Sequence, residues 1–139
     1  MKVRLAVFAL LISSLTIRSS ADPVIVVHPS VNVSSLTQEE VKAIFLRTRL
    51  AWADGSKIVP VDQLARASVR VAFSKKVHGK SVHAVVSYWL QQVFSGRQIP
   101  PLELENDAAV ITFVQTNRGA IGYVSDAAST AGLTVVRVK

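Results

Sequence analysis

The chain has 139 residues, no cysteine and a formal net charge of +7. Its length suits one compact domain with its own core. The missing thiols exclude disulfide staples, a thiol nucleophile and a lipid-bearing cysteine, and the cations are spread along the chain rather than gathered into the stripe a nucleic-acid binder presents. Residues 1–21 differ from the rest. Lys2 and Arg4, an apolar run from Leu5 to Leu15 broken late by Ser13 and Ser14, and the small residues Ser19-Ser20-Ala21 follow the three-part pattern of a secretory signal peptide cleaved after Ala21. That run is short for a bilayer span. The expected product is residues 22–139, soluble and periplasmic or secreted. Loss of Lys2, Arg4 and Arg18 with the leader takes three charges off the +7.

Val24 to Val27 is a β-branched run that predicts a strand buried on both faces. After a loop over 31–35, Thr37-Gln-Glu-Glu40 predicts a capping box opening a helix that packs Val41, Ile44 and Phe45 inward and ends near Arg47 and Arg49. Trp52-Ala-Asp-Gly55 reads as a turn. Ile58, Val59 and Val61 predict the next strand, with Pro60 suited to an edge or to the strand's end. Residues 62–67 read as a polar loop, and Val69, Ala72, Phe73 and Val77 fall on one face of the helix after it. A further helix carries the stripe Val82, Val85, Val86, Trp89 and Val93 and stops at Gly96. Gln98 to Pro101 is an extended connector. Asn106 is the expected N-cap of a helix burying Val110, Phe113 and Val114, closed by Asn117-Arg-Gly119. Strands at 120–124 and 133–138 complete the order. Alternating strands and helices make the class α/β, with a mixed or parallel sheet flanked by helices.

The chemistry-bearing residues point to binding rather than turnover. There is no nucleophile elbow, phosphate loop or dinucleotide fingerprint, so a non-enzyme without cofactor is expected. Glu39 with Glu40 reads as a helix cap, and Glu103 with Glu105 as part of a connector. His78 and His83, with Gly79 between them, do not share a helix face as metal ligands would, and both are expected at the surface. Phe73, Trp89 and Phe113 sit on apolar stripes and are expected in the core. Trp52 lies in a turn and Tyr123 in a strand. What stands out is the junction near Ser68. A loop that opens a helix offers unpaired backbone N–H groups and the positive end of the helix dipole, here with Arg66 and Arg70 alongside. Either this is an anion site, built from Ser68, Val69, Arg66 and Arg70, or it is an ordinary surface loop with solvated arginines.

The order of segments adds a further clue. Ser35–Leu46, Trp52–Val61, Phe73–Gly79 and Gly119–Val124, together with the connector Phe94–Pro101 after Tyr88-Trp89, resemble the substrate-binding proteins of phosphate ABC importers, and in particular short stand-alone members of that group. The resemblance implies a single lobe of the type 2 periplasmic-binding-protein fold over residues 22–139. It also implies a small oxyanion such as phosphate as ligand, and an ABC permease or another periplasmic protein as partner. In that family an arginine and a Ser-Gly-Thr hold phosphate at the loop-to-helix junction. Aligned from Phe73, the matching positions are Ala67-Ser68-Val69, so only Ser68 keeps a hydroxyl, and the family's arginine falls near Gln63. The first-lobe residues that would hold the other side of phosphate have no counterpart. The alternative is therefore a periplasmic interaction module that has lost its ligand, its exposed face covered by a partner protein or by a second copy in a homodimer.

Overall fold

The computed structural model describes residues 22–139, and the expected leader lies outside them. Six strands, β1 (Pro23–Val27), β2 (Ser35–Leu36), β3 (Val59–Gln63), β4 (Leu102–Leu104), β5 (Ala120–Ser125) and β6 (Thr134–Val138), form one sheet in the order β2-β6-β1-β5-β3-β4. The sheet is mixed. β1 runs antiparallel to both its neighbours, β5 and β6, whereas β3 is parallel to β5 and to β4, and β2 is parallel to β6. The helices are α1 (Gln38–Phe45), α2 (Ser68–Phe73), α3 (Val82–Phe94) and α4 (Asp107–Thr116). Residues Ser74–His78 continue α2 as a wider π-helical turn that ends at Gly79 in the left-handed conformation, φ 63°.

The period-2 alternation of the strands divides the core between the two sheet faces. Ile25, Val27, Ile121 and Tyr123 face one way and pack with Val41, Ile44 and Phe45 of α1, and with Val69, Phe73 and Val77 of α2 and its π turn. Val26, Val61, Ala120 and Val124 face the other way against Val110 and Val114 of α4. Trp52 belongs to the first cluster, because its ring N–H donates to Gly119 O at 3.0 Å and locks the turn to the sheet. Two glycines are fixed by close approach. A Cβ on Gly119 would lie 2.3 Å from Lys57 O in a backbone at φ 78°, and one on Gly122 would lie 2.7 Å from Val110 Cγ1.

The caps expected at Thr37 and Asn106 are present: Thr37 and Glu40 form the capping box, and Asn106 caps α4 through Ala109 N–H. Ser81 adds a cap not expected from the sequence, holding α3 through Ala84 N–H. Several expectations change. Asp62 and Gln63 are strand residues, not loop, because β3 extends to pair with β4 inside the supposed connector. β2 occupies the end of the loop after β1 by pairing with β6. Val93 is not inward. It is half-exposed, since α3 lies over the π turn rather than on the sheet and buries only Val85 and Trp89. No helix among the described residues is long and apolar enough to cross a membrane.

Candidate functional site

β3, β4 and β5 are mutually parallel, so their carboxyl ends share one edge of the sheet. α2 leaves β3 onto one face and α4 leaves β4 onto the other. An edge where helices depart to opposite faces is the usual ligand crevice of an open α/β sheet. Here that crevice holds a dense polar cluster. Asp62 and Gln63 come from the end of β3, Arg70 from α2, Glu103 from β4, Asp107 from the start of α4, and Tyr123 and Ser125 from β5.

The cluster is internally paired. The Tyr123 hydroxyl donates to Asp62 Oδ1, and Arg70 approaches the same oxygen at 3.2 Å while also donating to Gln63 O at 2.6 Å. Glu103 lies 3.7 Å from the Arg70 guanidinium on its solvent side. The Gln63 side-chain amide donates to Asp107 at 2.8 Å and to Tyr123 O at 3.0 Å, and Asp107 in turn accepts from the Ser125 N–H and hydroxyl. Burial pushes the Asp62 carboxyl up against the pull of Arg70 and the Tyr123 hydroxyl. Burial and the adjacent Asp62 push the Tyr123 phenol well above its usual range. Burial also acts to raise Asp107, but hydrogen bonds from Ser125 and Gln63 outweigh it and hold the carboxyl below its usual value.

The four residues expected at an anion site differ in placement. Ser68 is the exposed first residue of α2, and Arg66 is exposed in the loop before it. Val69 buries its side chain while its N–H lies in the open first turn. Ala67, the N-cap, supplies no side-chain bond, and Val71 N–H is the first to close back, onto Ala67 O. Arg70 differs from the expectation of an arginine beside the ligand. It is 2% exposed and committed to Asp62, Glu103 and Gln63 O. The helical period that puts Val69 and Phe73 inward carries Arg70 inward beside them, toward the carboxylate at the strand end.

Asp62, Gln63, Asp107 and Tyr123 were not identifiable as a unit from the chain, because their partners are separated by 44 to 61 residues. Their local signal is polar residues continuing directly from an apolar strand. His78, expected at the surface, is also buried. It packs edge-on to Phe73 at 5.6 Å, because the π turn rotates it under α1 and α3. Its imidazole is lowered to about 4 by burial first and then by the charges of Arg70, Lys42 and Lys80.

No protein-family model and no curated protein matches the chain. Solved structures do. A phosphate ABC transporter substrate-binding protein from Clostridium perfringens, determined with bound phosphate, superimposes with a TM-score of 0.67 at 21% identity over 84% of this chain and 44% of its own. An ABC-type phosphate transport receptor from Vibrio cholerae gives 0.65 at 20% identity, over 84% of this chain and 46% of its own. PstS from Borrelia burgdorferi gives 0.60 at 12%, over 85% and 47%. This chain thus spans less than half the length of these structures, and what it shares with them is the fold of a periplasmic-binding-protein-like lobe.

Proposed function

We propose that the chain is an exported, non-catalytic substrate-binding module related to the receptors of phosphate importers, and that it holds a small oxyanion such as phosphate at the start of α2. The observation behind this proposal is the shared lobe, matched along nearly its whole length to proteins that include one solved with phosphate. The groups available are the Ser68 and Val69 N–H groups, the Ser68 hydroxyl and the exposed Arg66. Arg70 acts from behind as a positioning residue, tying the first turn of α2 to the end of β3. Delivery to an ABC permease outside the cytoplasmic membrane belongs to the same proposal. Isothermal titration of the full chain with phosphate and with sulfate tests it. Saturable heat is expected, weakened about tenfold when Arg66→Ala and Ser68→Ala remove one charge-assisted contact and one hydroxyl. Absence of heat overturns the ligand assignment.

One surface feature favours a second reading, an interaction module that works without a ligand. Leu90, Val93, Phe94 and Ile99 are all at least half-exposed, with Phe94 at 87%, and they follow one another from the end of α3 into the connector. Such a patch is a candidate for cover by another protein or by a second copy. Size-exclusion chromatography with light scattering separates the two. A phosphate-binding monomer supports the receptor, and a stable dimer that binds no anion supports the interaction module.

A further inference from the structure

The far end of the α2–π segment carries an arrangement that the proposed α2 site does not use. Among the described residues, three buried side-chain polar atoms lack a hydrogen-bond partner: Arg47 Nε, Ser74 Oγ and His78 Nδ1. Two of the three lie in the π turn, and His78 lines a cavity of about 60 Å³ while its Nδ1 itself is shielded from that space. Lys42 of α1, Lys80 just beyond Gly79, and Tyr88 of α3 line the same cavity, with Leu46 and Val85 as its apolar wall. No carboxylate lines it, and neither lysine forms an ion pair among the described residues. The volume is several times what one water needs.

Two lysines, an imidazole and a phenol line one cavity with no carboxylate to balance the charge, and like charges near one another repel. π-helical turns recur at functional sites because they displace side chains from the regular helical path, and here the turn places His78 against the cavity. Gly79, at φ 63°, then turns the chain, and Lys80 just after it joins the lining.

We propose that this cavity is a second binding site, for a compact oxyanion group, a carboxylate or a phosphate, held between Lys42 and Lys80 with the His78 imidazole and the Tyr88 hydroxyl as hydrogen-bond donors. The charged groups acting on His78 are Arg70 from α2, Lys42 from α1 and Lys80 from the turn, all cationic. A bound anion opposes all three, so binding raises the titration midpoint of His78, and phosphate, which stays anionic in that range, binds more tightly as pH falls toward it. This site lies at the opposite end of the α2–π segment from Ser68 and does not depend on the α2 site.

The test is histidine ring NMR on the full chain, with the His78 resonances assigned by His78→Gln. Inorganic phosphate and acetate are titrated separately, with chloride at matched ionic strength as control. A saturable shift of His78 with either anion is expected, with its titration midpoint moved upward. Response to phosphate alone identifies a phosphate site, and response to acetate as well identifies a general oxyanion site. Lys42→Gln and Lys80→Gln should each weaken the response about tenfold through loss of a charge-assisted contact, and Lys42→Arg should largely restore it. Both lysines reach solvent, so a thermal melt confirms that the variants remain folded. Arg66→Ala with Ser68→Ala, which removes the proposed α2 site, should leave the His78 response intact, so the two sites fail separately. A His78 response no greater than that to chloride, or one unchanged in both lysine-to-glutamine variants, overturns the proposal.

Discussion

The two ends of the α2–π segment hold buried polar groups in opposite states. At the Arg70 end, Asp62, Gln63, Tyr123 and Asp107 are matched to one another, donor to acceptor, so the cluster acts as a polar extension of the core. At the His78 end, Ser74 and His78 are buried without partners beside two lysines that make no ion pair among the described residues. The difference teaches where a ligand would be useful. The saturated cluster has no group left for a small molecule, so a ligand at that end would use the free N–H groups at the start of α2, whereas the lysines at the His78 end lack a counter-charge and would gain by meeting an anion. Phe73 stands between the ends, stacked on Tyr123 at 3.9 Å and edge-on to His78 at 5.6 Å, so each end is packed against the same ring.

If the Arg70 end is structural, breaking it should give the largest stability effect. Arg70→Ala leaves Asp62 buried without its cation, and loss of one partner from a buried pair costs about 3–5 kcal/mol. Urea denaturation measures this. Arg70→Met with Asp62→Leu, which removes both charges and retains bulk, should recover part of the loss, the remainder reflecting the Tyr123 hydroxyl left without its acceptor. If the double variant is no more stable than Arg70→Ala, the pair is not what holds this end together, and the contrast between the two ends weakens.

This end of the segment also marks the limit of what the chain discloses. The capping box at Thr37, the cap at Asn106, and the apolar faces of α1 and α4 were legible because each is set by residues within a few positions of one another. Strand β1 was legible for the same reason. The polar cluster was not, since Asp62 finds Tyr123 across 61 residues and Gln63 finds Asp107 across 44, and pairing at that range depends on strand order. Arg70 shows the cost of reading charge without direction. Its position beside a helix start suggested an anion ligand, but its rotation with Val69 and Phe73 turned it inward. His78 was misplaced similarly, because a π turn shifts the helical face without leaving a periodic trace in the sequence.

The His78 end should disclose itself through pH. Its imidazole titrates at about 4 in the folded chain against 6.5 as a free group. Between those values the unfolded state binds more protons than the folded one, so His78 makes stability rise with pH from about 4 to 6.5 and fall on acidification through that window. The shift corresponds to on the order of 3 kcal/mol across the window. Asp62, pushed upward by burial, contributes with the opposite sign, so the measurement is the difference between the chain and His78→Gln. Urea midpoints across this pH range should lose the His78 component in the variant. Parallel pH profiles would mean that His78 is not shielded from protons, and the contrast with the Arg70 end would fail.

The smallest effect concerns the wall of the cavity rather than its charges. Ser81 accepts a hydrogen bond from Ala84 N–H at 3.2 Å and so caps α3, the helix that brings Val85 and Tyr88 to the cavity. Ser81→Ala removes that bond, at a cost of about 1 kcal/mol. Where the loss appears matters more than its size. α3 packs on the π turn and not on the sheet, so its first turn should fray locally, with faster amide exchange at Ala84 and Val85. The amides of Gln63 and Tyr123, held within β3 and β5, should exchange as before. Exchange rising equally at both places would show that the segment responds as one rigid unit. In that case an anion seated at His78 would also be felt at Arg70, and the two ends would be coupled rather than merely contrasted.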